Sequence, residues 1–159
     1  RSVHGLPVCG FRQDMLEIAV SYQKYFEKHP ELNAFAIKCI DIIRSIASSD
    51  TITCCHNDVV AANVVESTRL QLIDWEFAAD YDPFFDLASV IGFHNLGDKH
   101  ANILLSAYTG GDNGTSQQKL KQQLRIYYVV YWLWLATRQV VSPKNWQVRR
   151  LGELQKRII

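Results

Sequence analysis

No run of apolar residues in this chain reaches the roughly 18–20 needed to cross a bilayer. The longest, "IYYVVYWLWLA" from Ile126 to Ala136, reads as a buried helix and no membrane span is expected. Net charge is nearly absent: 17 Lys and Arg against 16 Asp and Glu leave +1. That balance gives nucleic acid or an anionic membrane no electrostatic footing. Cysteine is sparse, with Cys9, Cys39, Cys54 and Cys55 forming no C-x-x-C pair. A secreted disulfide framework is therefore excluded, and a reducing, cytoplasmic setting is the expectation. A zinc site at Cys54-Cys55-His56 is disfavoured because adjacent cysteines cannot readily take two tetrahedral corners. No signal-peptide pattern, repeat or low-complexity tract is visible. Glycine is scarce in the first third of the chain, where only Gly5 and Gly10 precede His56.

What is present suits a globular domain: 159 residues, 48% apolar and 21% charged, enough to bury a real core. Residues 1–10, with Gly5, Pro7 and Gly10, read as a linker. Apolar positions at Phe11, Met15, Ile18, Tyr22 and Phe26 predict a helix to about Lys28. A second helix carries Phe35, Cys39, Ile43 and Ile46 on one face and ends near Ser48–Asp50. The β-branched "TITCC" predicts a strand. "NVV" at Asn63–Val65 and "RLQLIDWEF" predict a small hairpin. Asp82 as N-cap and Pro83 at the first position start a helix, another spans about 98–109, and Thr109–Gly114 forms a loop. A long helix follows, capped by Thr115 or Ser116. Ser142 as N-cap and Pro143 at the first position open the last helix. The expected fold class is α+β, mostly helical, with a few short strands around residues 50–75.

The chemistry concentrates in "HNDVVAANVV" (His56–Val65) and "LIDWEFA" (Leu72–Ala78). Asp58 and Asn63 lie five apart in a predicted loop after a strand, and Asp74 follows on the next strand. Two carboxylates and an amide oxygen form a hard oxygen set suited to Mg²⁺. The competing reading makes them a turn Asp, a turn Asn and a strand-end Asp with capping roles.

The two segments, with "DPFFDLAS" (Asp82–Ser89), together resemble the choline/ethanolamine kinase branch of the aminoglycoside phosphotransferase group, which has a protein-kinase-like fold. The resemblance implies the C-terminal lobe of that fold over residues 11–159. It makes Asp58 the catalytic base and Asn63 and Asp74 the Mg²⁺ ligands, with ATP as co-substrate. His56 and Asp86 would be structural supports of the loop. A complete member also needs a glycine-rich loop and a strand Lys, so a missing N-terminal lobe is expected, with residues 1–10 leading from it.

The acceptor expected is a small cationic alcohol, choline favoured. Asp74, Glu76, Asp80, Asp82 and Asp86, unrelieved by Lys or Arg, read either as a solvated acidic loop with a helix cap or as a negative basin for Mg²⁺ and a cation, with Glu76 a candidate substrate contact. On the long helix Tyr127, Tyr131 and Trp134 share a face, next to Tyr128, Trp132 and Leu135. Such a stripe is core, or a wall for a quaternary ammonium held by cation–π attraction. The resemblance points to Tyr131 and Trp134 for the latter. A thiamine or aminoglycoside kinase, and a catalytically silent lobe acting as a binding module, are the alternatives.

Overall fold

Asp14 decides where the first helix begins. Its carboxylate Oδ1 accepts the N–H groups of Leu16 and Glu17 at 2.8 and 3.0 Å, satisfying two of the orphan donors of a helix start. Helix α1 therefore spans Met15–Gln23, continued by a 3₁₀ turn over Lys24–Phe26. The expected start at Phe11 is four residues too early. Residues 11–13 are instead extended, and Phe11 and Gln13 exchange backbone bonds with Asp80. The computed structural model describes residues 3–46, 49, 51–111 and 114–159.

Pro30, at the first helical position, opens α2 over Pro30–Ser45. The helix ends at Ser45 with Ile46 already extended, three residues short of the expected end at Ser48–Asp50, which lies partly outside the described residues. Strand β1 (Thr53–Cys55) pairs antiparallel with β4 (Ala79–Tyr81), and β2 (Val64–Glu66) with β3 (Leu70–Leu72). The second pair is the hairpin that the sequence predicts. The expected strand over Arg69–Phe77 stops at Leu72, so Asp74 lies beyond it.

Helix α3 (Phe84–His94) starts one residue later than expected, with Pro83 at its N-cap and not at its first position. The Phe84 N–H donates to Asp82 Oδ1 at 2.8 Å. Helix α4 covers Asp98–Thr109 and ends at Gly110, whose φ of 80° is the left-handed cap glycine supplies without strain. Helix α5 runs Gly114–Val141, so Thr115 and Ser116 lie inside it and not at its cap. Helix α6 covers Asn145–Ile158. Lys144, not Ser142, is its N-cap: Gln147 Oε1 accepts the Lys144 N–H at 2.8 Å while the Gln147 N–H returns to the Lys144 carbonyl. Pro143 therefore precedes the helix.

The chain forms two units, residues 1–13 with 49–124, and residues 14–48 with 125–159. In the first, the 3₁₀ turn Val3–Gly5 lies beside β1. Buried Asp80 holds the backbone N–H groups of Cys9 and Gly10 at 2.6 and 2.7 Å. The segment read as a linker is thus pinned to β4.

In the second unit α1 packs on α2, and the core gathers around Trp132. This ring is fully buried, with its centroid 4.6 Å from Phe35 and 6.1 Å from Phe26. Trp134, two residues on, is 41% exposed. Trp132→Ala is expected to cost about 3–5 kcal/mol through transfer and cavity terms, lowering Tm by roughly 6–20 °C. Trp134→Ala should lower it by about 3 °C or less. Thermal melts of both variants check this, and similar losses would contradict the placement of the two rings.

Candidate active site

The loop after β1 is shaped by one buried carboxylate. Asp86, on the first turn of α3, accepts the His56 N–H on Oδ2 at 2.9 Å and the Asn57 N–H on Oδ1 at 2.8 Å. Those bonds turn the chain sharply, and Asn57 adopts φ 62°, a left-handed conformation tolerated best by Gly and Asn. Its Nδ2 also donates to the Phe77 carbonyl at 3.1 Å. His56 is fully buried. Its Nε2–H donates to the Ile73 carbonyl at 2.9 Å, which leaves Nδ1 to accept the Asp58 N–H at 3.3 Å. The ring packs against Trp75 with centroids 4.8 Å apart. His56 thus ties the start of the loop to the turn after β3.

Asp58 and Asn63 form one hydrogen-bonded unit. Asn63 Nδ2 donates to both the carbonyl and Oδ2 of Asp58, each at 3.0 Å. Asn63 is buried, at the end of a 3₁₀ turn over Ala61–Asn63. With its nitrogen committed to Asp58, the amide offers its oxygen to any further partner. The Ile73 N–H bonds to the Asn63 carbonyl at 3.0 Å, bringing the Asp74 segment alongside. Asp74 is exposed at φ 63°. Burial pushes the Asp58 carboxyl up, and the Asp74 charge adds to this. The Asn63 bond and the nearby His56 oppose it. Two carboxylates close enough to repel, beside an amide oxygen, are a donor set that fits a hard divalent cation such as Mg²⁺.

Residues 11–120 match the model of a phosphotransferase enzyme family. That span is more than half of the chain. The chain belongs to this family. Protein LicA of Haemophilus influenzae is 33% identical over 93 residues, covering 54% of this chain and 35% of that protein. A LicA homolog of Mycoplasma capricolum is 30% identical over 141 residues, covering 85% and 56%. Among solved structures, a choline/ethanolamine kinase family protein from Mesorhizobium loti superposes with a TM-score of 0.77 at 16% identity, covering 98% of this chain and 58% of that one. The choline kinase LicA from Streptococcus pneumoniae gives 0.75 at 19%, covering 99% and 59%. The family member described here thus has the fold of these kinases, mostly helical α+β, and spans about half the length of its relatives.

The structure gathers Asp58, Asn63, Asp74, His56 and Asp86 within the first unit. Glu76 is exposed, two residues past Asp74. Tyr131 and Trp134 belong to the second unit, with ring centroids 6.0 Å apart. Each already carries a cation: Arg150 lies 5.4 Å from the Tyr131 centroid and Arg138 5.9 Å from that of Trp134. The aromatic stripe therefore divides. Tyr128, Trp132 and Leu135 are core, while Trp134 is exposed and Tyr131 half-buried. No motif in the sequence marks His4, whose Nε2 lies 2.9 Å from Asp86 Oδ2.

A carboxyl whose folded pKa is raised destabilises the fold at neutral pH, where it is ionised. That penalty is relieved as pH falls through the raised value toward the ordinary 3.8. Asp58→Asn keeps an acceptor for Asn63 and carries no charge. At pH 7 its Tm should equal or exceed that of the unaltered protein. Any gain should shrink on acidification through that window. A clearly lower Tm at pH 7 would show that the ionised carboxylate stabilises the loop.

Proposed function

We propose that this family member supplies the acceptor-side chemistry of a kinase that moves the γ-phosphoryl group of ATP to the hydroxyl of a small cationic alcohol, with choline favoured. The observation that carries the reading is the Asp58–Asn63 unit, bonded at 3.0 Å, beside the Asp74 carboxylate. Asp58 accepts the proton of the substrate hydroxyl through the oxygen that Asn63 leaves free. The alcohol oxygen forms its bond to the γ-phosphorus as the bond to the ADP oxygen breaks. A Mg²⁺ ion held by Asn63 and Asp74 would offset the charge on the transferring group. His56 and Asp86 hold the loop so that Asp58 keeps one orientation, and positioning of this kind carries much of the rate. We place the nucleotide-cradling glycine loop and its Lys outside these 159 residues.

Tyr131 and Trp134 are the candidates for cation recognition, and Glu76 adds negative charge in the first unit. The two arginines stacked on the pair support the choice, since both rings are placed to attract positive charge. A trimethylammonium group would take the free faces or displace a guanidinium. Two relatives of the same fold support choline: the choline/ethanolamine kinase family protein of Mesorhizobium loti and the choline kinase of Streptococcus pneumoniae.

The test uses the full-length encoded protein with Mg·ATP, following phosphoryl transfer to candidate alcohols by ³¹P NMR. Choline should be phosphorylated. Asp58→Asn should lower kcat by about 10²-fold or more with a small change in KM for ATP. Trp134→Ala should weaken choline relative to the neutral 3,3-dimethylbutanol by roughly two- to thirty-fold. Turnover by Asp58→Asn near that of the unaltered enzyme would refute the base assignment. An unchanged choline-to-isostere ratio would refute the aromatic pair alone.

A further inference from the structure

His4 lies in the 3₁₀ turn Val3–Gly5 and is separated from the 56–63 loop by about fifty residues of chain, yet it touches the group that holds that loop. Its Nε2–H donates to Asp86 Oδ2 at 2.9 Å, the same oxygen that accepts the His56 N–H. Its Nδ1 meets the Tyr108 hydroxyl at 2.9 Å, and the two rings stand edge-on with centroids 5.5 Å apart. The ring is thus clamped from α4 on one side and presented to α3 on the other. Both partners of the His4–Asp86 pair are more than nine-tenths buried, where a charge-assisted bond is stronger than at the surface and the loss of a partner costs more.

We propose that His4 is a positioning residue for phosphoryl transfer. By fixing Asp86 Oδ2 it fixes the carboxylate that holds the N–H groups of His56 and Asn57, and through them the direction of Asp58. The inference rests on the reading of Asp58 as the base. Asn57 makes the coupling tight. Its left-handed backbone is held by the Asp86 bond one residue before Asp58, so a rotated carboxylate releases the strained residue that aims the base. A carboxylate with one partner removed still holds backbone N–H groups, but it is free to rotate among them.

The same corner admits another reading, because Cys55 Sγ, His4 and Asp86 offer ligand atoms within 4.8 Å of one another. Their present partners point to hydrogen bonding. Burial pushes the Cys55 thiol up to about 12, and Sγ–H donates toward the Tyr81 carbonyl at 3.3 Å. His4 and Asp86 are bonded directly to each other.

The test uses the full-length protein with His4→Ala, His4→Gln, Asp86→Asn and the His4→Ala/Asp86→Asn double variant. A misaimed base should cost about 10- to 100-fold in kcat, with both KM values within about threefold. His4→Gln, which keeps a donor, should recover part of the loss. The double variant should be no slower than Asp86→Asn alone, because His4 acts through Asp86. Amide exchange at His56 and Asn57 should be faster in His4→Ala. Three results would overturn the proposal. One is a lower Tm with unchanged kcat per folded molecule and unchanged exchange. The second is additive losses in the double variant. The third is stoichiometric zinc in the purified protein that His4→Ala abolishes. Exchange needs no turnover, so it still judges His4 if the unaltered protein transfers no phosphoryl group.

Discussion

The Asp86 carboxylate accepts two consecutive backbone N–H groups and a histidine N–H, all inside the first unit. An unpaired carboxylate at that depth would cost several kcal/mol. Three donors, each worth about 1.5–3 kcal/mol when the acceptor is charged, offset that cost and make the charge a fixed point. The candidate site residues of the first unit follow from it in order along the chain. The bonds to His56 and Asn57 set the left-handed turn, and the turn delivers Asp58. Asn63 then locks Asp58, and the Asn63 carbonyl catches Ile73, which carries the chain to Asp74. Remove the carboxylate and each later bond loses its geometric reason.

Other acidic side chains do similar work at element boundaries. Asp80 holds residues 9 and 10 against β4, Asp82 starts α3, and Asp14 starts α1. The run of acids over residues 74–86 is therefore not uniform. Asp80, Asp82 and Asp86 are buried and spent on backbone N–H groups, while Asp74 and Glu76 are exposed. The negative charge available to a cation comes from Asp58, Asp74 and Glu76, not from the whole run.

Local patterns made some of this legible. The spacing of Asp58, Asn63 and Asp74 marked a loop followed by a strand end. The hairpin, α3 and α4 followed from strand alternation, the Asp82-Pro83 start and helical periodicity. The start of α1 was readable too, since Asp14 followed by Glu17 is a cap pattern, but the apolar spacing from Phe11 obscured it. Strand β4 has three residues, two of them polar or acidic, and exists because β1 needs a partner. Its formation is a tertiary effect that no local propensity encodes. His4 was invisible for the same reason: its partner lies 82 positions away. The division of the aromatic stripe depended on which residues face Phe26 and Phe35, which helical spacing alone does not tell.

The proposed function rests on Asp58, Asn63 and Asp74 acting as one hard-oxygen site. Titration of the isotopically labelled chain with Mn²⁺ as a paramagnetic probe tests it without requiring turnover. Backbone signals of residues 58, 63 and 74 should broaden together at the lowest Mn²⁺ concentrations, and Asp74→Asn should abolish this. Broadening that begins instead around Asp80 and Asp82, or that survives Asp74→Asn unchanged, would contradict it.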